Sequence, residues 1–145
     1  MSRPVTPLLA ADIIIELVDR DNHPIVLIER KNPPFGWAIP GGFVDVGETI
    51  EQAARREAME ETCLEVMLTT LLGIYSNPKR DPRGHTATAV YVATASGTPI
   101  AADDARYVQC FTSDQLPSRL AFDHDLVLQD YLNFKAKGSS TPLRI

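Results

Sequence analysis

The chain has 145 residues, 44% hydrophobic and 23% charged, with a formal net charge of −5; this fits one soluble globular domain with a buried core and argues against nucleic acid as the main partner. No apolar run reaches the roughly 18 residues that span a membrane, and the opening MSRPVTPLLAADIII, broken by Asp12, lacks the form of a signal peptide. The two cysteines, Cys63 and Cys110, form no C-x-x-C pair, so neither a disulfide framework nor a zinc ribbon is expected, and the cytosol is the expected compartment.

Ala11 to Val18 is rich in β-branched residues and reads as a strand. DRDNHP turns the chain into Ile25 to Arg30, its expected hairpin partner. Pro33 and Pro34 make Lys31 to Gly36 a loop. Trp37 to Ile39 and Phe43 to Val46 read as short extended pieces on either side of Pro40-Gly41-Gly42. A helix is predicted from about Thr49 to Thr62, with Thr49 and Gln52 spaced as a capping box. Strands follow at Val66 to Tyr75, Thr86 to Thr94 and Tyr107 to Phe111, with a polar loop at Ser76 to His85 and a turn region at Gly97 to Asp104. Thr112 to Leu116 reads as a short helical turn. Asp123 caps a last helix through about Ala136, with Leu126, Val127, Tyr131 and Phe134 on one face. One domain over 1–145 is expected, with residues 1–8 and the tail 138–145 loose. Strands interrupted by one helix and closed by another give an α/β sandwich.

The central helix carries the functional signal. Ile50, Ala53, Ala54, Ala58 and Leu64 recur at helical spacing and mark its inward stripe. Glu57 and Glu61 lie on that stripe, with Glu60 beside them. Inward carboxylates repel one another unless a cation sits between them. An all-oxygen donor set favours Mg²⁺, with Mn²⁺ as substitute, over zinc.

The segment GFVDVGETIEQAARREAMEETCL also resembles the signature of the Nudix hydrolases, G-x5-E-x7-R-E-U-x-E-E-x-G-U, where U is a bulky aliphatic residue. Gly42, Glu48, Arg56, Glu57, Glu60, Glu61 and Leu64 stand in register. Ala58 replaces the first U and Cys63 replaces the glycine. A buried, structural Cys63 is expected, with the helix running on slightly or ending by another turn, since a left-handed cysteine would cost roughly 1 kcal/mol. The resemblance implies the Nudix fold, an α/β/α sandwich with a mixed sheet between helices. It also implies metal-assisted hydrolysis of a nucleoside diphosphate linked to a second group. In that reaction most of the work is positioning and charge neutralisation. By position, Glu57 and Glu61 resemble the main metal ligands, and Glu60 a further ligand or base. The Gly42 carbonyl is a candidate ligand. Arg56 is expected to pair with Glu48, itself a lesser metal candidate.

Further patches resemble the ADP-ribose pyrophosphatases of that family: RDPRGH, the ADDA run from Ala102 to Ala105, and LAFDHD from Leu120 to Asp125. They make Arg80, Arg83 and His85 candidates for holding phosphate. Phe35 and Trp37 are candidates for stacking on adenine, although core packing is the commoner fate of such aromatics. Asp103 or Asp104 is a candidate general base, and His124 reads as structural. The implied substrate is a small nucleoside diphosphate, ADP-ribose first. A triphosphate pyrophosphohydrolase is the rival, and an ADP-ribose sensor without catalysis the more distant one. The sensor reading fits less well, because the short tail leaves no room for a DNA-binding segment. The resemblance allows a homodimer.

Overall fold

The computed structural model describes residues 2–145. Nine elements follow in chain order: β1 (Leu8–Leu17), β2 (Ile25–Arg30), β3 (Trp37–Ala38), β4 (Gly41–Phe43), α1 (Ile50–Thr62), β5 (Met67–Tyr75), β6 (Thr86–Ala95), β7 (Ala105–Phe111) and α2 (His124–Lys137). The strands form one mixed sheet with the backbone order β3-β2-β1-β6-β5; β4 adds to β1 and β7 adds to β2. Among the named strands of the described residues only β1 and β6 run parallel, in register over ten residues from Leu8↔Thr86 to Leu17↔Ala95.

Successive residues of a strand face opposite sides, and β1 shows what each side receives. Ala11, Ile13, Ile15 and Leu17 enter one core with Ala53, Ala54 and Ala58 of α1. Ile14 enters a second core with Leu27, Val90 and Val92 and with Val127, Leu128 and Tyr131 of α2. The sheet therefore lies between two helices, as the family resemblance implies. Burying Val127 and Leu128 contributes about 1.5–3 kcal/mol each. Three alanines on α1, Ala58 included, let that helix lie close to the sheet.

Several expectations give way. The hairpin of β1 and β2 closes only at Glu16↔Ile25. Beyond that point β2 pairs with β7, and β4 takes the Ala10–Asp12 stretch of β1. The extended piece expected at Phe43 to Val46 is shifted, because the glycines themselves form the strand. A Cβ at Gly41 would stand 2.1 Å from the Asp12 carboxylate and 2.3 Å from the Ala11 carbonyl oxygen, so only glycine admits this pairing. Thr112 to Leu116 is a turn closed by Gln115 N–H on Thr112 O. On α2, Leu128 takes the buried place expected for Leu126, which is exposed. Cys63 is exposed and ends α1 in the left-handed region (φ 60°), its N–H bonded to Met59 O. The helix stops where a glycine would stop it, without the glycine.

Leu8 is already part of β1, its N–H bonded to His85 O. The tail is held at two points. The Thr141 hydroxyl donates to Leu72 O, and Arg144 pairs with Asp130 at 2.9 Å. Among the described residues no helix is long and apolar enough to cross a membrane.

Candidate active site

Gly41 and Gly42 bring β4 against the last two turns of α1. The Gly41 N–H donates to Glu61 Oε1 at 2.7 Å. A Cβ at Gly42 would lie 2.4 Å from the Glu57 carboxylate, so the second glycine also serves a close approach. Glu61 is only 2% exposed, and burial, followed by the charges of Glu57, Asp12 and Asp104, pushes it up to about 8 against the bond from Gly41. Burial likewise raises Glu57, opposed by Arg56.

Arg56 is the hub beside this pair. Its guanidinium holds Glu48 through Nη2 at 2.6 Å and Nε at 3.1 Å. It also holds Glu57 at 2.8 Å, Glu60 at 3.2 Å and the Phe43 carbonyl at 2.9 Å. Hydrogen bonding to Arg56 holds Glu48 below the usual carboxylate range. Glu48 and Glu60 thus turn to Arg56 and stay outside the cleft, and the Glu60 side chain is 42% exposed. Among the described residues no three His, Cys, Asp or Glu side chains converge closely enough to hold an ion by themselves. Two inward carboxylates are nevertheless what Mg²⁺ asks of a protein, since it fills its other positions with water and substrate phosphate. Glu57, Glu61 and the Gly42 main chain, all at the cleft, fit a divalent cation.

The cleft encloses about 270 Å³. Its acidic wall continues into Asp103 and Asp104, on a loop tied to the end of α1 by Ala102 N–H on Glu61 O and Ile100 N–H on Thr62 O. Arg30 and Arg83 supply positive charge, and Phe43 and Phe122 supply aromatic surface.

Behind them lies a buried polar layer. Arg80 is gripped by both oxygens of Asp123, at 2.8 and 3.1 Å, so it braces the wall and has no free fork for phosphate. His124 Nδ1 accepts the Ile39 N–H at 3.0 Å. Burial, then the charges of Arg80 and Arg30, lower His124 to about 3 and keep it neutral. Asp12 accepts the Thr88 hydroxyl at 2.6 Å, and burial pushes it up to about 6.

Three sequence candidates lie elsewhere. Trp37 packs edge-on to Phe111, 5.2 Å between centroids, in the second core. Phe35 is 68% exposed and does not line the cleft. His85 is exposed, its ring nitrogen 3.0 Å from Ser76 O. The place of Phe35 and Trp37 beside the box suggested a base platform and the cationic loop suggested His85 for phosphate, but none of the three lines the cleft. Lining residues passed over include Asp12, Arg30, Phe43, Asp81 and Phe122. Of these, Asp12 had a local signal, a carboxylate inside an apolar strand, which it shares with Glu16.

Two inward carboxylates and an arginine hub thus stand against a glycine strand. The NUDIX domain family model matches residues 7–131. The chain belongs to the Nudix family. It is 47% identical over 132 residues to the ADP-ribose pyrophosphatase of Methanocaldococcus jannaschii, covering 89% of this chain and 75% of that one. A MutT/nudix family protein from Enterococcus faecalis superposes with a TM-score of 0.81 at 29% identity, covering 94% of this chain and 65% of that one. The NUDIX domain of Shewanella oneidensis NrtR, solved with ADP ribose, superposes at 0.76 with 28% identity, covering 89% and 88%. These likenesses make the chain a Nudix pyrophosphohydrolase, a class that generally works with a divalent metal.

Proposed function

We propose that this single Nudix domain hydrolyses ADP-ribose to AMP and ribose 5-phosphate with Mg²⁺, Mn²⁺ substituting. The observation that carries the metal-dependent reading is Glu61. It is a buried carboxylate beside a second inward carboxylate, and Arg56 answers Glu48, Glu57 and Glu60 but not Glu61. Such a group stays protonated or takes a cation. The choice of ADP-ribose is supported by the Methanocaldococcus relative's name and by the ligand of the Shewanella domain.

Glu57 and Glu61, with the Gly42 main chain, would hold the ion, which supplies charge to the diphosphate and acidifies water. Arg56 fixes Glu57 in place while holding Glu48, and with it the preceding loop, against the helix. Arg83, which also lines the cleft, would meet the phosphates. Water attacks one phosphorus, the bridging oxygen leaves with the other phosphate, and the water's proton passes to a carboxylate. The acceptors in this reading are Asp103 and Asp104, on the loop that the Ala102 N–H ties to the Glu61 carbonyl. The net charge of −5 supports a small-molecule substrate over nucleic acid; the cytosol as compartment and a homodimer are compatible with this reading.

The test is a hydrolysis panel of ADP-ribose, NADH, diadenosine polyphosphates, nucleotide sugars and nucleoside triphosphates, with Mg²⁺ and with chelator. Chelator-sensitive release of AMP from ADP-ribose, well above the rest, is the expected result. Preference for a triphosphate would overturn the substrate, and ADP-ribose binding without turnover would make the chain a sensor.

A further inference from the structure

Phe122 adopts a left-handed backbone, φ 57°, which is costly for a bulky side chain. Its neighbours hold it there. Ala121 N–H bonds to Trp37 O at 2.8 Å, Asp123 is locked to Arg80, and His124 is locked to Ile39. The strained ring is delivered into the cleft wall, and strain of this kind gathers at functional positions.

Two guanidiniums attend that ring. Arg30 lies 5.0 Å from its centroid and Arg83 5.3 Å, with Arg83 also 5.6 Å from the ring of Phe43. Each arginine is tethered by part of its fork only. Arg30 donates through Nε to Pro34 O at 2.8 Å and through Nη2 to Pro33 O at 3.5 Å. Arg83 donates through Nε and Nη2 to Asp81, at 3.1 and 2.9 Å. Among the described residues neither Nη1 has a protein acceptor. Two cations against one ring repel each other. After burial, the charge of Arg83 is the next cause that weakens the hold of Arg30 on its proton. Asp81, paired with Arg83, and the charges of Glu61 and Asp104 offset part of that repulsion; the two spare Nη1 donors beside one ring are what call for an oxyanion.

We propose that Phe122 is a positioning residue that spaces Arg30 and Arg83 as a paired-guanidinium subsite for the diphosphate of the substrate. This rests on the pyrophosphohydrolase reading but not on ADP-ribose as the substrate. Arg30 thereby joins Arg83 as a substrate-binding residue.

Inorganic pyrophosphate is the probe, titrated calorimetrically into the metal-free protein. Phe122→Leu should weaken its binding about tenfold, the loss of two cation–π contacts, and Phe122→Tyr should bind within about twofold of wild type. With whichever substrate the protein turns over, Phe122→Leu should raise KM about tenfold and leave kcat within about twofold. Wild-type binding by a Phe122→Leu protein of unchanged melting temperature would overturn the proposal, as would a wild type that does not bind pyrophosphate. If Phe122→Leu does not fold, Arg30→Lys decides. It keeps the charge and loses the planar stack, so undiminished pyrophosphate binding would equally overturn the spacing role. A panel that rejects ADP-ribose while pyrophosphate binding still depends on Phe122 would remove the substrate reading and leave this one standing.

Discussion

The two helices begin with the same kind of residue and use it differently. Thr49 caps α1 locally: its hydroxyl accepts the Gln52 N–H at 3.1 Å and the Gln52 side chain returns to the Thr49 N–H at 2.8 Å. Asp123 stands at the same position on α2 and makes no side-chain cap bond. Its carboxylate goes to Arg80, across 43 positions of chain. One cap serves its helix, and the other serves the cleft. A capping residue can be read from sequence, whereas the partner that claims it belongs to the tertiary fold.

Removing the two caps should therefore have unequal effects, and the larger belongs to Asp123. Asp123→Ala leaves Arg80, 8% exposed, as an uncompensated buried charge, a loss of about 3–5 kcal/mol. Denaturant unfolding measures it, and a loss near 1 kcal/mol would mean that Asp123 is an ordinary cap after all.

Next in size is the chemistry at the other end of α1. Glu61→Gln should lower kcat by about 100-fold or more, at least the scale of losing a partner of a metal ligand, and Glu60→Gln should cost less, because Glu60 faces Arg56 and solvent. Equal losses would place Glu60 in the cleft during turnover. The pH dependence follows from the same group. Glu61 holds its proton up to about 8 in the folded chain, against an ordinary value of 4.5. The folded state thus binds more protons across that window, and the metal-free protein loses stability as pH rises through it. Asp12, pushed to about 6, acts in the same direction below that pH. His124, lowered from 6.5 to about 3, acts oppositely between those values. Above 6.5 Glu61 is left as the dominant one of the three. Melting temperature without metal should fall between about pH 6.5 and 8, Mg²⁺ should restore more of it at the higher pH, and Glu61→Gln should flatten both responses.

The same division marks what sequence discloses. The capping box, the inward stripe and the pairing of Arg56 with Glu48 lie within one turn or two of their partners, so the body of α1 was legible, though not its left-handed end at Cys63. So was the strand character of Ala11 to Val18, though not which core Ile13 and Ile14 each enter. The aromatic candidates failed because flanking the box in sequence does not fix direction: β3 turns Trp37 onto Phe111, while Phe43 and Phe122 reach the cleft. Arg80 was read as a phosphate ligand because nothing near it in the chain announces Asp123. The splaying of β2 from β1 was hidden for a like reason, since the glycine strand that replaces it arrives from beyond a proline loop.

Thr49→Ala tests the local side of the comparison. It should cost about 1 kcal/mol and leave turnover within about twofold, since no cleft residue hangs on the Thr49 hydroxyl. Stability is again the readout, and a loss matching that of Asp123→Ala would erase the distinction between the caps.

The smallest expected effect sits at the opposite end of α1, where Cys63 occupies a left-handed position with φ 60°. A side chain there costs about 1–2 kcal/mol. Glycine removes that strain but adds freedom to the unfolded chain, worth about 0.4–1 kcal/mol. Cys63→Gly should therefore stabilise by about 0.5 kcal/mol, the small difference of those two terms. Cys63→Ala keeps the Cβ and should gain nothing, which separates backbone relief from loss of the exposed thiol. Turnover should not change in either variant, because Glu61 is anchored from β4 by the Gly41 N–H and not by the residue that ends the helix. A gain shared equally by both variants would place the cost in the sulfur rather than the backbone.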